Sequence, residues 1–264
     1  MDAPATHEHG LRRLCLVVDL EDYRKRSGPE QAAAQAGLAK ALDTAATVVG
    51  LRREAWYRQD AGDGELAVLP PAEPETILVS DFPAALNEAL RAIHQRDGLF
   101  LRVRFAIHHG LAHSAAKGYA GAGIIEVRSI ADAGPVRRAL TAAREARMVV
   151  ALSDRLFTDV VRGGYTHLRT TDFHKVRIDE EKFHGSAWVS VPGVDLATLE
   201  AYALTGDDSV PDGARSAQVS QNAAATHSTV LQAGRDLTHA PNSTVTTVHG
   251  DFHMPGGHIG PRHG

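Results

Sequence analysis

The sequence predicts an α+β fold in which a central, largely antiparallel sheet is flanked by helices and followed by a disordered tail. Three observations carry this expectation. An unbroken apolar run of strand length, Leu14 to Val18, reads as a central strand buried on both faces. Two strand-like runs enclose a glycine-rich hairpin signal. The elements then follow in the order strand, helix, hairpin, helix, strand, helix and strand, the order of an α+β or α/β sandwich with helices on one face of the sheet.

The first strand, Leu14-Cys15-Leu16-Val17-Val18, ends in Asp19. The Ala-rich stretch from Pro29 to Val49 reads as a helix. Ala55 to Gln59 and Glu65 to Leu69 are strand-like, and Asp60-Ala61-Gly62-Asp63-Gly64 between them tolerates the positive φ angles of a tight loop. Phe82, Ala85, Leu86, Ala89, Leu90 and Ile93 recur at helical intervals, with Ser80 or Asp81 able to cap the start. Leu101 to Ile107 alternates as a strand with one face to the core. Ile130 to Ala146 and Asp154 to Arg162 read as helices around a short strand, Met148 to Leu152. Phe173 to Ile178 and Ala187 to Val191 make a last strand pair, and Trp56 and Trp188 fall in strand patterns as core or interface residues.

Composition bounds the organisation. A chain of 264 residues, 43% apolar and 23% charged, buries one sizeable core and leaves length for an appendage. The expected segments are a flexible N-terminus (1–10), a folded domain (11–193), a short helix and linker (194–222) and a low-complexity tail (223–264). Within the third, residues 194–204 are amphipathic and Gly206-Asp207-Asp208 reads as a stop. A formal charge of −4 offers no general polybasic surface for duplex phosphates, so no nucleic-acid partner is expected. The one cysteine, Cys15, lies in the first strand as a buried thiol and cannot form an internal disulfide, which fits a reducing compartment. No run approaches the roughly 18 apolar residues of a membrane span, and the start lacks the basic-then-apolar order of a secretion signal. A cytoplasmic protein with no membrane partner is the expectation.

Asp19 ends a buried strand, and Asp63 sits in the hairpin that would lie beside it if the two elements are sheet neighbours. Two carboxylates at adjacent strand ends, with backbone carbonyls nearby, suit hard divalent cations such as Mg²⁺ or Mn²⁺ that bridge a triphosphate. Locally, an Asp in a glycine-rich hairpin equally serves turn chemistry, and an Asp at a strand end a helix cap.

These residues resemble the class III nucleotidyl cyclases, the adenylate and guanylate cyclase catalytic-domain family. Val17-Val18-Asp19-Leu20-Glu21-Asp22-Tyr23 is similar to the first metal-binding segment of that family. Arg58 through Ala67 is similar to its second, the Gly-Asp hairpin, and Phe105-Ala106-Ile107-His108-His109-Gly110 to the strand-to-glycine segment that follows. Order and spacing agree over roughly residues 11 to 191. The resemblance implies a ferredoxin-like cyclase fold and a divergent bacterial member of the family. It implies Asp19 and Asp63 as carboxylates of a two-metal Mg²⁺ or Mn²⁺ site, with the Leu20 carbonyl as a backbone ligand. It further implies Arg128 as the arginine that stabilises the transition-state phosphate, Lys182 as a contact to the triphosphate, and Gln59 and Gly62 as substrate-binding positions. The implied partners are a nucleoside triphosphate and a second copy of the chain, because class III sites are assembled in homodimers with metal residues from one subunit and the arginine from the other. The implied product is a 3′,5′-cyclic nucleotide with pyrophosphate.

Two positions depart from the pattern. The family usually places an asparagine one helical turn before the arginine, and here that position is Ile124. The position that commonly reads the base, a lysine in adenylate cyclases, is Gln59. A second expectation therefore stands beside the first: a catalytically inactive cyclase-homology module that binds nucleotide or a partner.

Other motifs carry less. His108-His109 and His113 lack the spacing and companion acid of a zinc-protease helix. Gly118-Tyr119-Ala120-Gly121-Ala122-Gly123 lacks both the P-loop lysine and the strand-to-helix context of a dinucleotide fold, and reads as a flexible connection. In the tail, residues 228–237 and 243–248 combine β-branched side chains and low charge without proline, as cross-β segments do. Val230-Leu231-Gln232-Ala233-Gly234-Arg235-Asp236 resembles prion-like bacterial signalling motifs similar to the RIP homotypic interaction motif, which implies recruitment by an NLR-type sensor carrying a matching amyloid motif; a plain polar linker is the alternative.

Overall fold

The computed structural model describes residues 10–195, and the backbone of 252–254 and 257–259. The chain divides into two units, Met1–Gly206 and Asp207–Gly264. The expected helix at 194–204 and both cross-β segments lie outside the described residues. In the second unit, β9 (Phe252–Met254) and β10 (Gly257–Ile259) form a short antiparallel hairpin, for which the sequence carries no strand signal.

The first unit is built on an eight-stranded sheet. Its strands are β1 (Leu11–Leu20), β2 (Tyr57–Asp60), β3 (Gly64–Val68), β4 (Val103–Ala115), β5 (Gly118–Ala120), β6 (Met148–Ser153), β7 (His174–Glu180) and β8 (Phe183–Ser190). They run in the order β2-β3-β1-β4-β6-β8-β7, with β5 paired to the end of β4. Every neighbouring pair is antiparallel except β4 and β6.

The apolar continuity of β1 dictates what covers the sheet. Leu14, Leu16, Val18 and Leu20 enter a core with α1 (Gly28–Val48) and α3 (Asp81–Asp97), while Cys15 and Val17 enter a second core with α4 (Ala122–Asp132) and α5 (Gly134–Ala142). Helices therefore pack on both faces, a correction to the one-face expectation: a strand apolar at every position needs cover on each side. Cys15 is fully buried, and burial pushes its thiol up to about 12, so it stays protonated.

Local chemistry sets the boundaries. Helix α1 starts in a capping box, where the Ser27 N–H and hydroxyl both reach Glu30 Oε2 (2.7 and 2.6 Å), with Pro29 in the first turn. Ser80 does not cap α3. The short helix α2 (Glu75–Val79) runs straight into it, and the Ser80 hydroxyl donates back to the Thr76 carbonyl at 2.7 Å. The single helix expected from Ile130 to Ala146 is two: α4 ends at Asp132, Ala133 turns extended at ψ 138°, and Pro135, which has no N–H to donate to the preceding turn, stands in the first turn of α5, where a missing donor costs nothing. The glycine-rich stretch 118–123 is ordered as β5 and the start of α4.

After β6, a helical turn (Asp154–Leu156) continues into a π-helical turn (Phe157–Arg162). Trp188 on β8 stacks on Phe157 at 3.9 Å and donates from Nε1 to Asp154 at 2.8 Å. Trp56, ahead of β2 at the other end of the sheet, is buried edge-on to Phe82 and donates to Glu73 at 2.9 Å. No described helix is long and apolar enough to cross a membrane.

Candidate active site

The sheet register builds the site. Asp19 continues the row of Cys15 and Val17 on the α4 side of β1, and its cross-strand partners are Gly64 on β3 and Arg104 on β4. The strand neighbours that sequence order alone left conditional are thus adjacent. The Leu20 N–H donates to the Asp63 carbonyl at 2.7 Å, which turns the Leu20 carbonyl toward the same hairpin. Gly64 lets the two backbones meet: a Cβ there would run into the Val18 carbonyl and come within 2.8 Å of the Asp19 Cα.

Asp19, Leu20, Asp63 and Arg128 line one cleft of about 470 Å³, together with Arg24, Lys25, Arg104, Asp132 and Arg137. Its charges are mostly paired. Arg104 forms an ion pair with Asp19, and both side chains are about 15% exposed. Arg104 also lies 3.9 Å from Asp132, which pairs with Arg137 at 2.8 Å. Burial, then the Arg137 charge, lowers the Arg104 pKa, while Asp132 opposes the shift. Lys25 pairs with Asp22 at 2.8 Å. Among the described residues, the Asp63 carboxylate and the Arg128 and Arg24 guanidinium groups have no hydrogen bond or ion pair.

A second set of charges anchors the hairpin from the α1 side. Arg53 is buried against Glu65 of β3 at 2.6 Å and reaches Asp43 of α1 at 3.0 Å. Burial raises the Glu65 carboxyl, against the lowering influence of Arg53. Such a pair adds little net stability, since desolvation offsets most of the attraction, but losing one partner would strand the other charge in the core. Gln35 of α1 donates to the Gly62 carbonyl at 2.6 Å and to the Tyr23 hydroxyl at 2.8 Å.

The other sequence candidates fall elsewhere. Gly62, at φ 81°, lines a separate cleft of about 340 Å³ between α1 and the hairpin. Gln59 is exposed on β2 and lines neither cleft. Lys182 is exposed in the turn between β7 and β8, the strands at the opposite end of the sheet from the hairpin. Ile124, in the first turn of α4, packs half-buried against the second core. Arg128 lies in the middle of α4, ahead of where the sequence placed a helix, and lines the cleft of its own chain. Sequence reasoning missed Arg104, Asp132 and Arg137. The only signal for Arg104 was its place in the alternating run before Ile107, which fixes a face of the strand but not the residue opposite.

The histidines do not gather. His108 faces α4, with Nε2 2.7 Å from Glu126, while its neighbour His109 turns to Glu75 at 3.0 Å. Burial pushes His108 down to about 4 and the Glu126 carboxyl up, so the ring is neutral at pH 7 and the contact is no salt bridge. No group of three His, Cys, Asp or Glu that could hold a metal occurs among the described residues.

The cleft nonetheless fits a hard divalent cation in kind. Its donors are oxygens, two carboxylates and a carbonyl, and Mg²⁺ is commonly held by one or two carboxylates with substrate phosphates and water completing the shell. The obstacle is the Arg104 guanidinium on Asp19.

No protein-family model and no curated protein matches the chain. Among solved structures, the guanylyl cyclase Cya2 is similar at 14% identity and a TM-score of 0.47, covering 75% of this chain and all of that one. The adenylate/guanylate cyclase/hydrolase from Silicibacter pomeroyi is similar at 13% and 0.47, over 70% of this chain and 99% of that one. The adenylyl cyclase CyaB from P. aeruginosa is similar at 10% and 0.45, over 69% and 94%.

Proposed function

We propose that residues 11–193 form a cyclase-like signalling domain that binds a nucleoside triphosphate in the cleft between the β2–β3 hairpin and α4, and cyclises it. The observation that supports this reading is the convergence of Asp19, Asp63 and Arg128, from three distant parts of the chain, on one cleft. Asp63 presents an unpaired carboxylate to the cleft, and Arg24 and Arg128 present unpaired guanidinium groups. That combination suits a ligand carrying phosphates together with cations. Mg²⁺ or Mn²⁺ held by Asp19, Asp63 and the Leu20 carbonyl would acidify the ribose 3′ hydroxyl and balance phosphoryl charge.

In this reading Arg128 meets the charge that grows on the α-phosphate as the 3′ oxygen bonds to phosphorus and the bond to the β-phosphate breaks, releasing pyrophosphate. The hydroxyl proton passes to solvent. Arg24 and Lys25 bind the outer phosphates and hold the chain in line. The resemblance implies a homodimer as the working unit, although Arg128 here lines the cleft of its own chain rather than a partner's, and the tail motif recruits it to an NLR-type sensor; clustering of that kind raises local concentration without new contacts at the site.

One observation favours the second reading, an inactive nucleotide- or partner-binding module: Ile124 offers no hydrogen bond where the family's asparagine would stand. Incubation with each of the four ribonucleoside triphosphates and Mn²⁺ decides between the two. Cyclic product and pyrophosphate that vanish in Asp63→Ala support the enzyme. Nucleotide binding without product in the assembled protein supports the module.

A further inference from the structure

Resting on the metal-dependent reading above, we propose that Arg104 is an exchangeable counter-ion. It neutralises Asp19 while the cleft is empty and moves to Asp132 when a divalent cation takes that carboxylate. Arg104 and Asp132 together then set the affinity for the cation.

Three features of the cleft carry this. The register places Arg104 directly across from Asp19, so its guanidinium occupies the carboxylate that a cation would need. Two cations cannot share one small half-buried carboxylate at full strength, and binding of one must loosen the other. Second, a receiving carboxylate is already within reach. Asp132 stands 3.9 Å from the same guanidinium, and its present partner, Arg137, pairs with it at the surface, both groups being more than half exposed. Solvated pairs of that sort rearrange at little cost. Third, the guanidinium is not pinned: its Nε is buried without a hydrogen-bond partner, and no backbone carbonyl holds its other nitrogens among the described residues. The planar fork of arginine can turn between two carboxylates by side-chain rotation alone. Arg102, two residues earlier, is built the opposite way, tied to Glu21 at 2.8 Å and to the carbonyls of Leu140 and Arg144.

Arg104 acts through Asp19 and is therefore a positioning residue, and its test reads cation binding rather than turnover. Mn²⁺ is titrated calorimetrically into the full chain without nucleotide, for the unaltered protein and for Arg104→Met, Arg104→Lys, Asp132→Asn and Asp63→Asn, and melting temperatures are recorded with and without Mn²⁺. Arg104→Met is expected to bind Mn²⁺ roughly tenfold tighter, the scale of one lost charged hydrogen bond, and to gain more from Mn²⁺ in melting temperature than the unaltered protein does. Arg104→Lys falls between the two, and Asp132→Asn binds severalfold more weakly. Should Arg104→Met not fold, Asp132→Asn decides: weaker binding supports the exchange and unchanged binding overturns it. Equal or weaker binding by a folded Arg104→Met overturns the exchange while leaving the metal reading intact, provided Asp63→Asn abolishes binding. If no Mn²⁺ binding depends on Asp63, both fall.

Discussion

A methyl group at position 64 has nowhere to go. The Val18 carbonyl and the Asp19 Cα, both backbone, stand where the Cβ of Gly64→Ala would be, so relief requires the hairpin to lift from β1. Overpacking of this kind costs about 1–3 kcal/mol. We expect Gly64→Ala to lower the denaturant midpoint accordingly, and to weaken nucleotide binding because Asp63 leaves its place beside Leu20. A variant with full stability would show that β3 tolerates a wider separation. At this scale the sequence was informative about residue type and silent about pairing. Asp19 and Asp63 stood out because an acid terminating an apolar strand and an acid in a glycine-rich turn are each conspicuous. Arg104 did not, since an arginine alternating with Val103 and Phe105 looks like any solvated strand position until the register sets it against Asp19.

Helix α4 meets β4 glycine to glycine, at the end of each element away from the cleft. A Cβ at Gly123 would come within 2.8 Å of the Gly110 carbonyl carbon, and one at Gly110 within 2.6 Å of the Gly123 Cα. Helix α4 carries Arg128 and Asp132, so this contact sets how far those charges stand from β1. Gly123→Ala is expected to push the helix outward, cost about 1–3 kcal/mol and loosen triphosphate binding, as read by chemical denaturation and calorimetry. Unchanged binding at reduced stability would show that the helix position does not govern the cleft. Most elements were legible from periodicity, as with the 3.6-residue spacing in α3 and the alternation in β4. The segment 118–123 was not. Alanine and glycine give no apolar alternation, and β5 exists because β4 extends far enough to pair with it.

Across the whole of the first unit, two apolar layers share one sheet, and a neutral histidine lies inside one of them. His108 is 7% exposed with its pKa pushed down to about 4, whereas an unfolded chain titrates near 6.5. Between those values the unfolded chain takes up a proton that the folded chain refuses, so stability falls as pH drops from about 6.5 toward 4 and gains nothing from this group above that window. The loss reaches about 3 kcal/mol. Urea midpoints measured from pH 7.5 to 4.5 should fall more steeply for the unaltered chain than for His108→Gln; parallel slopes would place the acid sensitivity in other groups. The layering itself was half legible. Unbroken apolarity in β1 called for burial on both faces, yet the helices were assigned to one, because sequence order does not state on which side each connection crosses.

The placement of the two tryptophans has a practical consequence. They are the only ones in the chain, and they report on opposite flanks of the eight-stranded sheet. Indole emission from Trp188, clasped by a phenyl ring and two cationic side chains, and from Trp56, wedged beside a lone carboxylate, should differ in colour and quenching. Replacing either by phenylalanine leaves a single optical reporter, one for the hairpin margin that carries the acidic turn and one for the far margin. The order in which the two flanks come apart is thus open to direct spectroscopic reading.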